Sequence, residues 1–437
     1  MPQHLSRRSL LAAGLALPLG ACAAGQTATT GGKAARITFW SALRGSKEVV
    51  AEFNKTHRTI QVDFQQIPSG DQGGYAKLSN AARAGNAPDV ATIEYPQVPG
   101  FAIDGVATDL SSLLDDKLRA KLLPASLRLT TFDNKVFSVP IDVEPMVMHY
   151  RTDLFQQYGL KLPRTWDEFE ALARTVRAKA PTRRLAVFAT DAALNFASYC
   201  WQAGAQWFDI RGGVWNVSMA DAQTRRIAAF WQRLIDEDLV WAGPGGGRQN
   251  DARLGQGLVL VRLSGAWDAG ANMKARPKQK GKWAIAPMPQ WDLAHPAVGT
   301  QGGSTFAVTK DSRHPEAAME FIAWQVADPA ALTARLKSGA SSQYPAVPEL
   351  VSVDRKAFPG AYYNHQDIYS LFDQEAHKIR DGWIWGPRMS ATQRVMQDGF
   401  ARAGAHQDTL IDAVRAAQSG TMPDLRALGL ATSEHSS

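Results

Sequence analysis

A chain of 437 residues with 45% hydrophobic and 20% charged residues has a globular composition, enough for two or three domains at roughly 150 residues each. Its net charge is +7, from 48 Lys and Arg against 41 Asp and Glu, but the basic residues are scattered. The densest run, Lys274 to Lys282, has no interleaved aromatics, which excludes nucleic acid as the default partner.

The N-terminus reads as an export leader. Ser6-Arg7-Arg8-Ser9-Leu10-Leu11 has the pattern of a twin-arginine signal, and the apolar run Leu10 to Ala21 is too short to span a bilayer. Leu19-Gly20-Ala21-Cys22 has the form of a lipobox, so residues 1–22 are expected to be a signal peptide whose Cys22 becomes lipidated. Residues 23–35, rich in small side chains, follow as a tether. Without Arg7 and Arg8 the charge falls to 7 − 2 = +5. Lipidation of Cys22 leaves Cys200 without a disulfide partner, and its apolar surroundings predict a buried core residue.

Strands and helices then alternate. Ile37 to Trp40 reads as a strand, Ser46 as the cap of the following helix, and Ile60, Val62 and Phe64 alternate as a second strand. A helix from Tyr75 to Ala84 and a strand from Pro88 to Ile93 follow. This order predicts an α/β fold with a parallel sheet flanked by helices, and such sheets bind ligands beyond their C-terminal strand ends. The stretch Val136 to Leu160 is broken by Pro140 and Pro145, so a paired strand cannot run straight through it. It reads as a hinge between two lobes, with Asp142 and Glu144 facing a cleft.

In the second lobe, Thr165-Trp166-Asp167-Glu168 is a capping box, Leu185 to Ala189 a strand and Asn195 to Ala203 a helix. Trp207, Trp215, Trp231 and Trp241 are expected in the core. Leu258 to Leu263 is a buried strand that ends beside small residues at Trp267, which favours a cleft platform there. The chain is expected to return to the first lobe near Ala284 to Pro287. There Gly303 permits close backbone approach to a ligand and Ser304 adds a hydroxyl. A final crossing is expected between Leu336 and Tyr344, before two terminal helices. Trp383 and Trp385 alternate, so one of them faces the cleft; Trp385 is favoured, with Arg388 beside it. The expected lobes are 36–141 with 285–336 and 142–284 with 337–430, leaving 431–437 as a tail.

Taken together, ITFWSAL, AEFNKTH, YAKLSNAARAGNAPDV, FSVPIDVEPMVMHYRTDLF, LPRTWDEF, LSGAWDAGANM and GTQGGSTFAVTKDSRHPEAAMEFIAW resemble, in order and spacing, the extracellular solute-binding proteins of ABC importers, in the maltose-binding-like group. The resemblance implies two α/β lobes, each a mostly parallel sheet flanked by helices, with a sugar or oligosaccharide held in the cleft between them. It also implies hinge closure, delivery to a membrane permease and residence outside the cytoplasm. Carried over residue by residue, it makes Ser41, Arg44, Tyr95, Gln97 and Glu144 polar ligand contacts and Trp267 the stacking platform. Asp142 joins them by its position alone. Ile93 stands where a maltose binder of the group has tryptophan, which argues against maltose itself. The expected state is a monomer without cofactor or metal. No catalytic motif such as HExxH, a Walker loop or GxSxG occurs. A secreted carbohydrate-active lipoprotein enzyme is the alternative, with Asp142 and Glu144 as its acid pair. A structural surface lipoprotein is the third possibility.

Overall fold

The computed structural model describes residues 34–339 and 342–434. The leader, Cys22 and the tether as far as residue 33 lie outside the described residues. Two sheets organise the rest. The first runs in the order Ile60–Gln66, Ala35–Ser41, Val90–Glu94, Ser304–Val308, Val139–Pro140. Its first three strands are parallel, as the alternation of strand and helix requires. Ile37, Phe39, Ile60 and Val62 are buried at alternate positions, and Phe39 meets Phe306 and Phe321 edge to face. The helix Ser46–Thr56 is not capped by Ser46: Gly45, at φ +80°, precedes it, and Ser46 Oγ bonds Ser41 Oγ instead.

In the second sheet, Met146–Arg151 lies between Val261–Gly265 and Trp283–Ala286 and is antiparallel to both. The parallel pair Trp241–Gly243 and Val187–Ala189 continues this lobe through a parallel bridge between Arg184 and Val259. Each lobe therefore carries one strand that runs against its neighbours: Ser304–Val308 in the first and Met146–Arg151 in the second. Both have just entered from the connections between the lobes. The parallel strands end at that edge, so a chain arriving there runs the other way. The mostly parallel sheets expected from the sequence thus each contain this one exception.

Two boundaries move. Trp283–Ala286 pairs in the second sheet and Ile285 is buried in the second core, so residues from 285 onward do not yet belong to the first lobe. The return comes at Gly299 to Ser304, where the chain bonds back to the outgoing segment. An apolar strand reads alike in either sheet, which hid the difference. The last crossing also extends further than expected: Tyr344 already packs in the second core, but Ala346, Val347 and Leu350 pack back in the first before Val351 packs in the second. The expected tail is not free either: Thr432–Glu434 pairs in parallel with Val214–Val217. The Thr165 cap forms as read, with its Oγ1 accepting the Glu168 N–H at 3.1 Å; the Glu168 carboxylate accepts the Arg164 N–H at 2.6 Å.

Candidate functional site

The two prolines set the site's geometry. Between them Asp142–Val143 pairs with Tyr344–Pro345 on one side, while Pro145 bridges Thr300 on the other. The Gln301 N–H bonds Glu144 O at 3.0 Å, and the Ile141 N–H bonds Ser304 O at 3.0 Å. All the segments that pass between the lobes are thus laced together side by side. Asp142 and Glu144, two apart on the central segment, share one face, and both line a cavity of about 460 Å³. Arg44, Trp267, Gly303 and Ser304 line it as well. Six of the residues expected from the sequence therefore meet at one place.

Trp267 is held from several sides yet leaves its ring uncovered. Its backbone N–H donates to Glu144 Oε2 at 2.7 Å, its indole Nε1 donates to Gln301 O at 2.9 Å, and the residue remains 38% exposed. Glycines make the room: a Cβ on Gly265 would lie 2.9 Å from the indole, and one on Gly302 3.2 Å from it. Gly303, at φ +100°, has no space for a Cβ, which would sit 2.5 Å from the ring of Tyr95.

The acids are buried and bonded. Asp142 accepts the Ser304 N–H at 2.6 Å; burial pushes its carboxyl up to about 6, against the opposing pull of that bond and of Arg335. Burial, with Asp142 beside it, also raises Glu144 well above the usual carboxylate range, against the Trp267 and Tyr344 amides. The protonated form so favoured can donate as well as accept hydrogen bonds. Arg335 lines the same cavity with both terminal nitrogens unpartnered among the described residues, and burial lowers it to about 10.

Other expected residues lie elsewhere. Ser41 is fully buried behind the cavity, where its Oγ accepts bonds from Leu43, Ser46 and Thr92. Tyr95 is buried beneath Gly303 and donates to Asp142 O at 2.6 Å, so both residues support the wall without lining it. Gln97 and Arg388 line a separate cavity of about 230 Å³, and Arg388 is held by Asp104 at 2.8 Å. Trp385 is buried, and so is Trp383, which stacks on Trp201 at 5.3 Å; neither faces the cavity. Residues two apart in extended chain share a side, and these two do: their rings meet at 5.1 Å and both pack against Trp201.

Sequence reasoning missed Asp191, Asn195, Arg335 and Gln393, all of which line the cavity. Asp191 and Asn195 follow the strand Val187–Ala189, so the strand-end rule used on the first lobe would have found them. Arg335 and Gln393 come from helices Pro329–Leu336 and Met389–Gly404, and nothing local marks them.

Comparison with known proteins agrees with this architecture. The family model for bacterial extracellular solute-binding proteins matches residues 41–331. The arabinooligosaccharide-binding protein of Bacillus subtilis is 27% identical over 324 residues, 71% of this chain and 73% of that protein. The lactose-binding protein of Rhizobium radiobacter is 30% identical over 200 residues, 44% of this chain and 46% of that protein. Among solved structures, the galacto-N-biose/lacto-N-biose I-binding protein of an ABC transporter from Bifidobacterium longum, in complex with lacto-N-biose, superposes with a TM-score of 0.81. It is 25% identical, and the match covers 92% of this chain and all of that one. With two sheets joined by laced connections, a cavity at their meeting edge and a family model matching most of its length, this chain belongs to the bacterial extracellular solute-binding proteins.

Proposed function

We propose that this protein captures a neutral sugar or oligosaccharide for an ABC importer, binding it in the cavity beside Trp267 without chemical change. The observation that carries the reading is the indole of Trp267, fixed at its backbone and at Nε1 but open on its ring face, over a wall of hydrogen-bonding groups. An aromatic face covers the apolar side of a sugar ring while acids and amides take its hydroxyls. The named ligands of the relatives, arabinooligosaccharides, lactose and lacto-N-biose, support a sugar. Asp142 and Glu144 each hold a backbone N–H, a poor starting point for an acid and base pair that must work on substrate. Their engagement supports binding over glycoside hydrolysis.

In this reading the lobes close on the sugar, which must touch both to favour the closed form. Cys22 carries a lipid anchor outside the cytoplasm, and the closed protein is offered to a permease. Among the described residues no helix is long and apolar enough to cross a membrane. Calorimetric titration with lactose, lacto-N-biose and arabinooligosaccharides, followed by chromatography of the recovered sugar, tests the reading. Saturable binding with the sugar recovered intact is the expected result; turnover would favour the enzyme, and no binding to any of them would reject the choice of sugar class.

A further inference from the structure

A second cavity of about 410 Å³ adjoins the first and, apart from Gln301 on the returning connection, is lined by the second lobe. The two share Asp191, Ala192, Asn195, Ala271, Gln301 and Trp267, so the exposed tryptophan stands at their junction. Each is large enough for a small ligand by the usual scale of roughly 300–1,000 Å³. A site for a single small sugar would have no need of both.

The walls of the second cavity have unused hydrogen-bonding capacity. Asn250 is 2% exposed and its Oδ1 has no partner among the described residues; Arg276 is 8% exposed and its Nε has none. Asn195, at the junction, also has an unpartnered Oδ1. Buried polar atoms of this kind are uncommon in folded proteins and call for a partner. The two arginines, by contrast, are already paired with carboxylates, and Asp191 is held by an amide. Arg262 pairs with Asp268 at 2.7 Å, Arg276 pairs with Asp251, and the Asp191 carboxylate takes the Gly245 N–H at 2.7 Å. What the wall lacks is neutral donors and acceptors.

We infer that the second cavity is an extension of the binding site, so that the ligand is a neutral oligosaccharide of three or more units that crosses Trp267 and continues along the second lobe. This rests on the sugar-binding reading above and adds the length of the ligand and its path along the second lobe. An added unit that satisfied two of these polar groups would strengthen binding about tenfold.

The test is calorimetry with di-, tri- and tetrasaccharides of the arabinooligosaccharide and galactooligosaccharide series. It compares the natural chain with two variants that obstruct only the second cavity. Gly246 has extended backbone at φ −119° and a Cβ there meets nothing within 4 Å, so Gly246→Trp introduces bulk without strain. Ala275→Trp adds bulk from the exposed end of another helix, Asp268–Ala275. The expected result is about tenfold tighter binding of trisaccharide than disaccharide in the natural chain, lost in at least one variant, with disaccharide affinity and unliganded melting temperature unchanged. Equal affinity for di- and trisaccharides in the natural chain, or a length preference that survives both variants, overturns the inference while leaving sugar binding intact. Failure of every sugar to bind overturns the reading beneath it as well.

Discussion

Glu144 and Trp267, 123 residues apart, are joined by a 2.7 Å hydrogen bond from the tryptophan backbone N–H to the glutamate Oε2. The acid belongs to the connection between the lobes and the tryptophan follows a strand of the second, so the bond fixes the platform to the hinge. The two should respond differently to substitution. Trp267→Ala retains the backbone bond and removes the open ring together with its Nε1 bond to Gln301 O, so sugar affinity should fall by about 2 kcal/mol or more, as for other aromatic anchors. The unliganded melting temperature should stay the same. Calorimetry beside thermal melting checks it; a large fall in melting temperature with normal binding would make Trp267 a core residue.

The buried acids make a pH prediction. Asp142 is pushed up to about 6 and Asp354 to about 8, burial being the largest cause for each, from an ordinary 3.8. Folding therefore raises both, and the folded state holds their protons longer. Below pH 4 the two states bind these protons equally. As pH rises toward 8 the unfolded chain releases them first, and stability is lost across that window. Both Asp354 carboxylate oxygens lack a partner among the described residues, so Asp354→Asn removes the charge without breaking a bond. The variant should be more stable than the natural chain by on the order of 1–3 kcal/mol at pH 8, with the difference vanishing near pH 4. Urea denaturation across the range measures it; a difference that does not shrink with acid contradicts the assignment.

Gly303 tests the wall. Alanine there would be strained at φ +100° and would place its Cβ 2.5 Å from the Tyr95 ring, whereas Gly73, at φ +112°, has nothing within 4 Å. Gly303→Ala should cost about 2 kcal/mol or more, and Gly73→Ala about 1 kcal/mol, the strain alone. Chemical denaturation of both variants separates contact from strain, and equal losses would show that the Tyr95 contact is unimportant.

Much of the site was legible because it obeys local rules. The prolines announced a break, and the two-residue spacing of Asp142 and Glu144 put them on one face. The small residues around Trp267 announced space. What failed was depth. Ser41 and Tyr95 follow strands that do end at the cavity, but each turns inward to bond Thr92 or Asp142, and a strand end alone does not distinguish wall from lining. Trp385 and Arg388 failed for another reason. Their surroundings are set by helices and by Asp104, 284 residues from Arg388, which no local pattern reveals. Arg335 was invisible on the same ground, since only folding brings it to Asp142.

Export and anchoring rest on the leader alone. Cys22→Ala should move the protein from the membrane fraction to the soluble extracytoplasmic fraction. Fractionation and detergent partitioning measure this, and unchanged membrane association would reject the lipid anchor.

The most direct test of the central claim is a crystal structure of the protein carrying the sugar with which it co-purifies. The account predicts a sugar ring lying flat on the Trp267 indole, with Asp142, Glu144 and Arg335 within hydrogen-bonding distance of its oxygens. A ligand that is not a sugar, or a sugar bound away from Trp267, would contradict it.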